Sequence, residues 1–146
     1  MALALFAKYV FTEMTKLIIQ IPCFNEEDAL PATLSALPRK IPGIDVIERL
    51  IVDDGSTDKS WSIIQEIYQK DSRMKGVSFR RNYGKSAALN TGFQRVNGRV
   101  VITMDADLQD NPNEIPELYS MILEKDLDIV SGWKKQRRDI SSFEGV

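Results

Sequence analysis

The chain reads as an α/β domain with a mainly parallel sheet and helices on both faces. Three observations carry this expectation. Short apolar runs alternate with segments of helical periodicity along the sequence, the order that parallel crossover units produce. A polar cluster follows each apolar run: Asn25-Glu26, Asp53-Asp54, Arg80 to Lys85, Asp105 to Asp107, and Trp133-Lys134. Ligands of open α/β sheets sit outside the carboxyl ends of the strands, so these ends together look like the rim of one site. The third observation is Asp105-Ala106-Asp107 directly after the apolar run Val100 to Met104. Alternate residues of an extended strand share a face, so both carboxylates reach one edge of the sheet. Two hard oxygen ligands there suit Mg²⁺ or Mn²⁺, and such a cation suits a diphosphate.

Each element has its own signal. Leu17 to Ile21 is the first strand, stopped by Pro22. A helix follows from Glu27 to Leu37, with Ala29, Leu30, Leu34 and Leu37 on one side and Pro31 in its first turn, where a missing N–H costs little. Pro38, Pro42 and Gly43 mark a loop. Arg49 to Val52 is the second strand. The next helix carries Trp61, Ile64 and Tyr68 at helical spacing, with Ile63 and Ile67 beside them. Val77-Ser78-Phe79 is a short third strand. Ser86 to Val96 is a helix whose buried side holds Ala87, Ala88, Phe93 and Val96. Val100 to Met104 is the fourth strand, Pro116 to Lys125 a helix carrying Leu118, Tyr119, Ile122 and Leu123, and Leu127 to Val130 a fifth strand.

Composition narrows the chemistry. A length of 146 residues suits one domain with a real core. Apolar and charged fractions of 43% and 27% are those of a soluble globular protein. A net charge of -2 argues against a general nucleic-acid binder. The single cysteine, Cys23, excludes an internal disulfide and fits a reducing cytoplasm. The chain has no histidine, which excludes Ser-His-Asp or Cys-His catalysis and a His-ligated zinc site within it. Residues 1–15 read as an N-terminal extension. The apolar stretch Met1 to Phe11 contains Lys8, is short of the roughly 20 residues a membrane span needs, and lacks the basic start of a signal peptide.

The motifs each have an ordinary reading beside the chemical one. In Asp53-Asp54-Gly55-Ser56-Thr57-Asp58, Gly55 permits a tight turn and Ser56, Thr57 or Asp58 can cap the Trp61 helix. A cap needs only one acid, which leaves Asp53 or Asp54 for the donor groups of a base or ribose. Arg80 to Ser86 resembles a phosphate loop but is not a Walker A sequence, because Phe79 stands where that motif has its first glycine. Gly84 still lets the backbone approach a ligand, and Lys85 brings a charge to a helix N-terminus, where anions are favoured. The run Lys134 to Arg138 is either a solvated face or a phosphate contact, with Lys134 and Arg137 the candidates. Cys23 reads as a small loop residue without a base beside it. Trp61 reads as core; Trp133 is either core or a sugar platform.

Taken together the motifs resemble those of family-2 glycosyltransferases, which have a GT-A fold built on a Rossmann-like sheet. The resemblance rests on Ile21-Pro22-Cys23-Phe24-Asn25-Glu26-Glu27, Val52 to Asp58, Arg81 to Asn90, and Met104 to Asp110, in that order. Asp107-Leu108-Gln109-Asp110 followed by Pro112, Glu114 and Ile115, with Ser131 to Lys134, is most similar to the polyprenyl-phosphate branch. By this resemblance Pro22, Phe24, Asn25 and Glu26 line a base and ribose pocket completed by Asp53 or Asp54. Gly84 and Lys85 lie near the nucleotide. Asp105, Ala106 and Asp107 contact the sugar-nucleotide, Asp105 and Asp107 act in catalysis and hold the metal, and Gln109 is a further metal ligand.

The implied reaction transfers a hexose from a UDP- or GDP-sugar to a polyprenyl phosphate with inversion, using Mg²⁺ or Mn²⁺. The cation neutralises the departing diphosphate. A phosphate monoester has its second pKa near about 6, so the acceptor is already ionised and needs little general-base help. The resemblance further implies a cytoplasmic protein at the membrane face, in peripheral contact with it, and leaves room for a homodimer. A sugar nucleotidyltransferase would carry a Gly-rich basic loop after the first strand, where Pro22 to Glu27 is acidic instead. An Asp-x-Asp phosphatase would carry its motif after the first strand of its core rather than the fourth. Members of the family continue well past Trp133, whereas this chain ends at Val146. The expectation is therefore a nucleotide-sugar-binding domain over 16–140, cut short at its C-terminus, with 141–146 a tail. An inactive binding module is the alternative.

Overall fold

The structure, a computed structural model, describes residues 16–132. They fall in two compact units, one through Ile115 and one from Pro116. The first unit contains strands β1 (Lys16–Cys23), β2 (Val46–Asp53), β3 (Met74–Ser78) and β4 (Val100–Thr103), and helices α1 (Leu30–Ala36), α2 (Ser60–Lys70) and α3 (Lys85–Arg95). The strands form one sheet in the order β3-β2-β1-β4, and every pairing is parallel. The α/β expectation therefore holds.

Both faces of this sheet are covered, which is why its central strand reads as an unbroken apolar run. Leu17 to Ile21 are all buried. On one face Leu17, Ile19 and Ile21 lie in register with Ile47, Arg49 and Ile51. Helix α2 packs there: a Cβ on Gly76, the partner of Ile51, would come within 2.8 Å of Ile64. On the other face Ile18, Leu50 and Val52 gather around Ala88 of α3. Gln20 sits among them, fully buried, and its Nε2 donates to Leu89 O at 2.8 Å. Gly92 makes this possible, since a Cβ there would stand 2.1 Å from that nitrogen.

Several sequence expectations are corrected. Pro22 does not stop β1, which runs on to Cys23. Gln20 O accepts from Met104 N on the β4 side, and Cys23 O accepts from Asp54 N on the β2 side. Peptide groups alternate sides along a strand, so Pro22 points its missing donor toward β4. That strand has already ended at Thr103, and no ladder bond is lost. Strand β3 starts at Met74 and ends before Phe79, because it follows the register of β2 rather than its own weak pattern. Helix α1 begins at Leu30, after a turn over 27–29 closed by Leu30 N donating to Glu26 O at 2.8 Å.

The apolar stripes are also narrower than expected. Tyr68 of α2 is 56% exposed and Phe93 of α3 is 50% exposed. The contact face of α3 is the small pair Ala88 and Gly92, because bulkier residues would not clear Ile18 and Gln20.

The second unit holds most of helix α4 (Ile115–Glu124), reached through a 3-10 turn at Pro112–Glu114. Tyr119 is buried and Leu123 partly exposed. The expected fifth strand at Leu127 to Val130 is not formed: these residues have no ladder partner among the described residues. The run is short and broken by Asp128, Asp126 before it takes a left-handed φ of 49°, and Ile129 is 85% exposed. Strands gain their stability from cross-strand partners more than from propensity. The extension 1–15, Trp133, the basic run with Lys134 and Arg137, and the tail lie outside the described residues.

Candidate functional site

The strand order sets where a site can form. After β1 the chain winds outward through β2 and β3, then returns to place β4 on the other side of β1. The connections therefore part between β1 and β4, and a crevice opens at their carboxyl ends. A cavity of about 290 Å³ lies there. Its walls are Pro22, Cys23, Phe24 and Glu26 after β1, Asp54 after β2, Asn82, Gly84, Lys85 and Ala88 around the start of α3, and Asp105, Ala106 and Asp107 after β4. Nine residues that the sequence assigns to a site thus meet around one space. Cys23, Asn82 and Ala88 complete the lining without having been expected at the site; Asn82 lies inside the Arg81 to Asn90 motif, and Ala88 faces inward from the first turn of α3.

Side chains from one loop hold the backbone of the next. Asn25 takes a left-handed φ of 50°, and its Oδ1 accepts from Thr57 N at 2.8 Å and Asp58 N at 3.3 Å. In return, Ser56 Oγ accepts from Asn25 N and Ser60 Oγ from Glu26 N, both at 2.9 Å. Asp58 carboxylate oxygens accept from Glu27 N and Ser60 N. Asp53 is buried and spent on the turn: Oδ2 accepts from Ser78 Oγ at 2.9 Å and Oδ1 from Ser56 N at 3.3 Å. Asp54 Oδ1 accepts from Tyr83 N at 2.7 Å and Oδ2 from Gly84 N at 3.0 Å. Gly55 lies so close to the same loop that a Cβ would stand 2.2 Å from Arg81 C. Tyr83 is steadied by an edge contact with Phe79 at 5.5 Å and by the Arg81 guanidinium at 4.8 Å.

Of the two acids at the end of β2, then, only Asp54 borders the cavity, and both of its oxygens serve backbone amides. Asn25 also stitches loops rather than forming the wall. Gln109 is not brought to the cavity: it lines a separate depression with Thr33, Ala36, Leu108, Asp110, Asn111 and Pro112. Its N donates to Asp107 Oδ1 at 3.1 Å, so it touches the motif through its backbone.

The cavity is electrostatically negative. Burial first, then the charges of Asp107, Asp58 and Asp105, raise the Glu26 carboxyl above the usual carboxylate range. Lys85 Nζ meets Asp105 Oδ1 at 2.5 Å, at the N-terminus of α3. Cys23 is buried, and burial above all pushes its thiol up to about 12, which removes it as a nucleophile near neutral pH.

No group of three or more His, Cys, Asp or Glu side chains gathers at metal-binding distance among the described residues. Asp105 and Asp107 nonetheless fit a small hard cation. Mg²⁺ is commonly held by one or two carboxylates, with water and substrate phosphate completing its shell, and the surplus negative charge around Glu26 favours positive charge here.

Comparison with known proteins gives the family and the fold. A family model for glycosyl transferase family 2 matches residues 18–143, reaching into the stretch read as a tail. The chain is 39% identical over 134 residues to an undecaprenyl-phosphate 4-deoxy-4-formamido-L-arabinose transferase of Photorhabdus laumondii, covering 88% of this chain and 40% of that one. It is 32% identical to a dodecaprenyl-phosphate galacturonate synthase of Rhizobium johnstonii, covering 85% and 37%. The chain thus spans about 40% of the length of such relatives. Among solved structures, a mannosyltransferase from Pyrobaculum calidifontis in complex with GDP-Man and Mn²⁺ superposes with a TM-score of 0.63 at 24% identity, covering 76% of this chain and 33% of that one. Glucosyl-3-phosphoglycerate synthase from Mycobacterium tuberculosis, in complex with UDP, gives 0.57 at 25% identity, covering 75% and 40%. The fold is that of the GT-A glycosyltransferases.

Proposed function

Because the chain belongs to glycosyl transferase family 2, we propose that it forms the donor-binding part of an inverting transferase. The enzyme would move a hexose or related sugar from a UDP- or GDP-sugar to a polyprenyl phosphate. The observation that carries this reading is the cavity at the β1/β4 parting, where Asp105 and Asp107 share a wall with Glu26, Asp54 and Lys85. The relatives named for undecaprenyl- and dodecaprenyl-phosphate support the acceptor class. The solved neighbour holding Mn²⁺ supports a divalent metal. Nucleotide-sugar binding is assigned to residues 16–140.

In this reading Phe24 and Pro22 offer an apolar wall to the base and ribose, with Glu26 beside them. The Gly84 backbone and the Lys85 ammonium face the diphosphate. Asp105 and Asp107 hold Mg²⁺ or Mn²⁺, which when bound supplies positive charge for the departing diphosphate. An acceptor phosphate oxygen forms a bond to the anomeric carbon as the bond from that carbon to the diphosphate oxygen breaks, and the configuration inverts. No proton has to be removed from the acceptor, because a phosphate monoester with pKa near about 6 is already ionised. A base such as histidine is not required. Lys134 and Arg137 are assigned to phosphate contact. No described helix is long and apolar enough to cross a membrane; a lipid acceptor calls for peripheral contact with one, and in this reading the contact is assigned to the cytoplasmic face.

The second reading is a module that binds donor and metal without transfer, since the cavity walls supply groups for a nucleotide and a diphosphate. The two separate in an assay with radiolabelled donor and polyprenyl phosphate. Label moving into the solvent-extractable lipid supports transfer. A folded sample that binds nucleotide but leaves all label in water supports the module.

A further inference from the structure

The carboxylates of Asp105 and Asp107 are useful only if their loop is held still, and the loop is not inherently quiet. Leu108, next to Asp107, takes a left-handed φ of 63°, which is uncommon for a residue other than glycine. Such a conformation persists where the surroundings over-determine it. Three tethers do so here. Asp110 Oδ2 accepts from Asp105 N at 2.7 Å. Asp107 Oδ1 accepts from Gln109 N at 3.1 Å. Both are local to the loop. The third comes from far away in the chain: Thr33 Oγ1, in the middle of α1, donates to Ala106 O at 2.9 Å.

We infer that Thr33 is a positioning residue that sets the metal-binding geometry of Asp105 and Asp107 through the Ala106 carbonyl. The Ala106 carbonyl lies in the peptide plane that leads to Asp107, so fixing it constrains how Asp107 leaves the backbone directly and Asp105 through the φ and ψ of Ala106. Thr33 and Ala106 are 1% and 3% exposed, and a carbonyl so enclosed has little access to water if the hydroxyl is removed. The β-branched side chain of threonine has few χ1 states in a helix, so the hydroxyl is held ready rather than merely nearby. Helix α1 also follows directly on the loop that carries Phe24 and Glu26. Thr33 therefore ties the wall of the cavity that follows β1 to the wall that follows β4.

This inference rests on the proposed donor site, and its test separates the two. Binding of UDP and GDP is measured by calorimetry with and without Mn²⁺ for wild type, Thr33→Val, Thr33→Ser and Asp110→Ala, with melting temperatures recorded. If the wild type binds neither nucleotide, the donor-site reading fails, and this inference with it. If the wild type binds, Thr33→Val is expected to weaken the Mn²⁺-dependent binding by about five- to tenfold, the scale of one lost hydrogen bond. Metal-free binding should change by less than about twofold, and Thr33→Ser, which keeps the hydroxyl, should restore the wild-type value. Equal Mn²⁺-dependent affinity in Thr33→Val and wild type overturns the inference. So does a parallel loss with and without Mn²⁺, which would mark a purely structural role. Should Thr33→Val fail to fold, Asp110→Ala cuts the same loop at its other end, and an unchanged Mn²⁺ response there overturns the account of the loop.

Discussion

Asp54 offers the sharpest separation between a residue that binds ligand and one that builds the place for it. The residue is 3% exposed, with one carboxylate oxygen 2.7 Å from Tyr83 N and the other 3.0 Å from Gly84 N. Asp54→Asn keeps the shape but leaves a single acceptor oxygen. One amide would keep a neutral hydrogen bond in place of a charge-assisted one, and the other would face an NH₂ group. Hydrogen bonds to charged groups contribute about 1.5–3 kcal/mol and neutral ones about 0.5–1.5 kcal/mol. Losing one and weakening the other comes to about 2.5–4.5 kcal/mol. The loop is near solvent, with Tyr83 55% exposed, so water can reach the orphaned amide and the lower half of that range is expected. Equilibrium unfolding in urea should show a lower midpoint at unchanged slope, in the absence of any ligand. If Asp54 served only to contact a nucleotide, the ligand-free protein would lose less than about 0.5 kcal/mol, as surface substitutions do. That result would refute the clamp.

Three further outcomes follow from other parts of the site. Gly55 and Gly84 both have left-handed φ, 73° and 98°, but only Gly55 also meets neighbouring backbone, 2.2 Å from Arg81 C. Gly84→Ala, at φ 98° and ψ 157°, should cost about 1–3 kcal/mol from conformation alone, and Gly55→Ala more; thermal melts that rank them the other way would contradict the loop packing. Cys23, moved from 9.0 to about 12, should react with iodoacetamide at pH 8 about a thousandfold more slowly in the folded chain than in urea, from its thiolate fraction. Its folded pKa is raised, so the stability it contributes is complete below pH 9 and is lost as pH rises from there toward 12; a stability profile flat across that alkaline window would count against its burial. Thr33→Val should lower Mn²⁺-dependent nucleotide binding, with Thr33→Ser as its control.

Much of this molecule was legible in the sequence because burial on both faces leaves a plain trace. Leu17 to Ile21, Leu50 to Val52 and Val100 to Thr103 are strands because parallel sheets demand continuous apolar runs. The sites of misreading were set by partners that a linear pattern does not show. Pro22 is harmless only because β4 ends where it does. Met74-Lys75-Gly76 pairs because β2 lies beside it, and Leu127 to Val130 has no ladder partner among the described residues. Phe93 is large and apolar yet exposed, since Gln20 leaves room only for Gly92. At the site, residue types announced the cavity: Glu26, Lys85, Asp105 and Asp107 are the chemistry one would seek at strand ends. What spacing could not separate was wall from scaffold. Asn25 and Asp53 stand beside wall residues in the chain, yet their side chains hold the turn after β2 and Ser78, and Gln109 touches Asp107 through its backbone N. Thr33 carries no local signal, because its partner is Ala106, across the fold.

The central claim is that Asp105 and Asp107 bind a divalent cation together with a nucleoside diphosphate. Calorimetric titration of UDP and GDP into the folded chain, with and without Mn²⁺, tests it most directly when repeated on Asp107→Asn. The account predicts that at least one nucleotide binds, that Mn²⁺ tightens it, and that Asp107→Asn removes the Mn²⁺ effect while the protein stays folded. A folded chain that binds neither nucleotide, or an Asp107→Asn variant with its Mn²⁺ dependence intact, would contradict it.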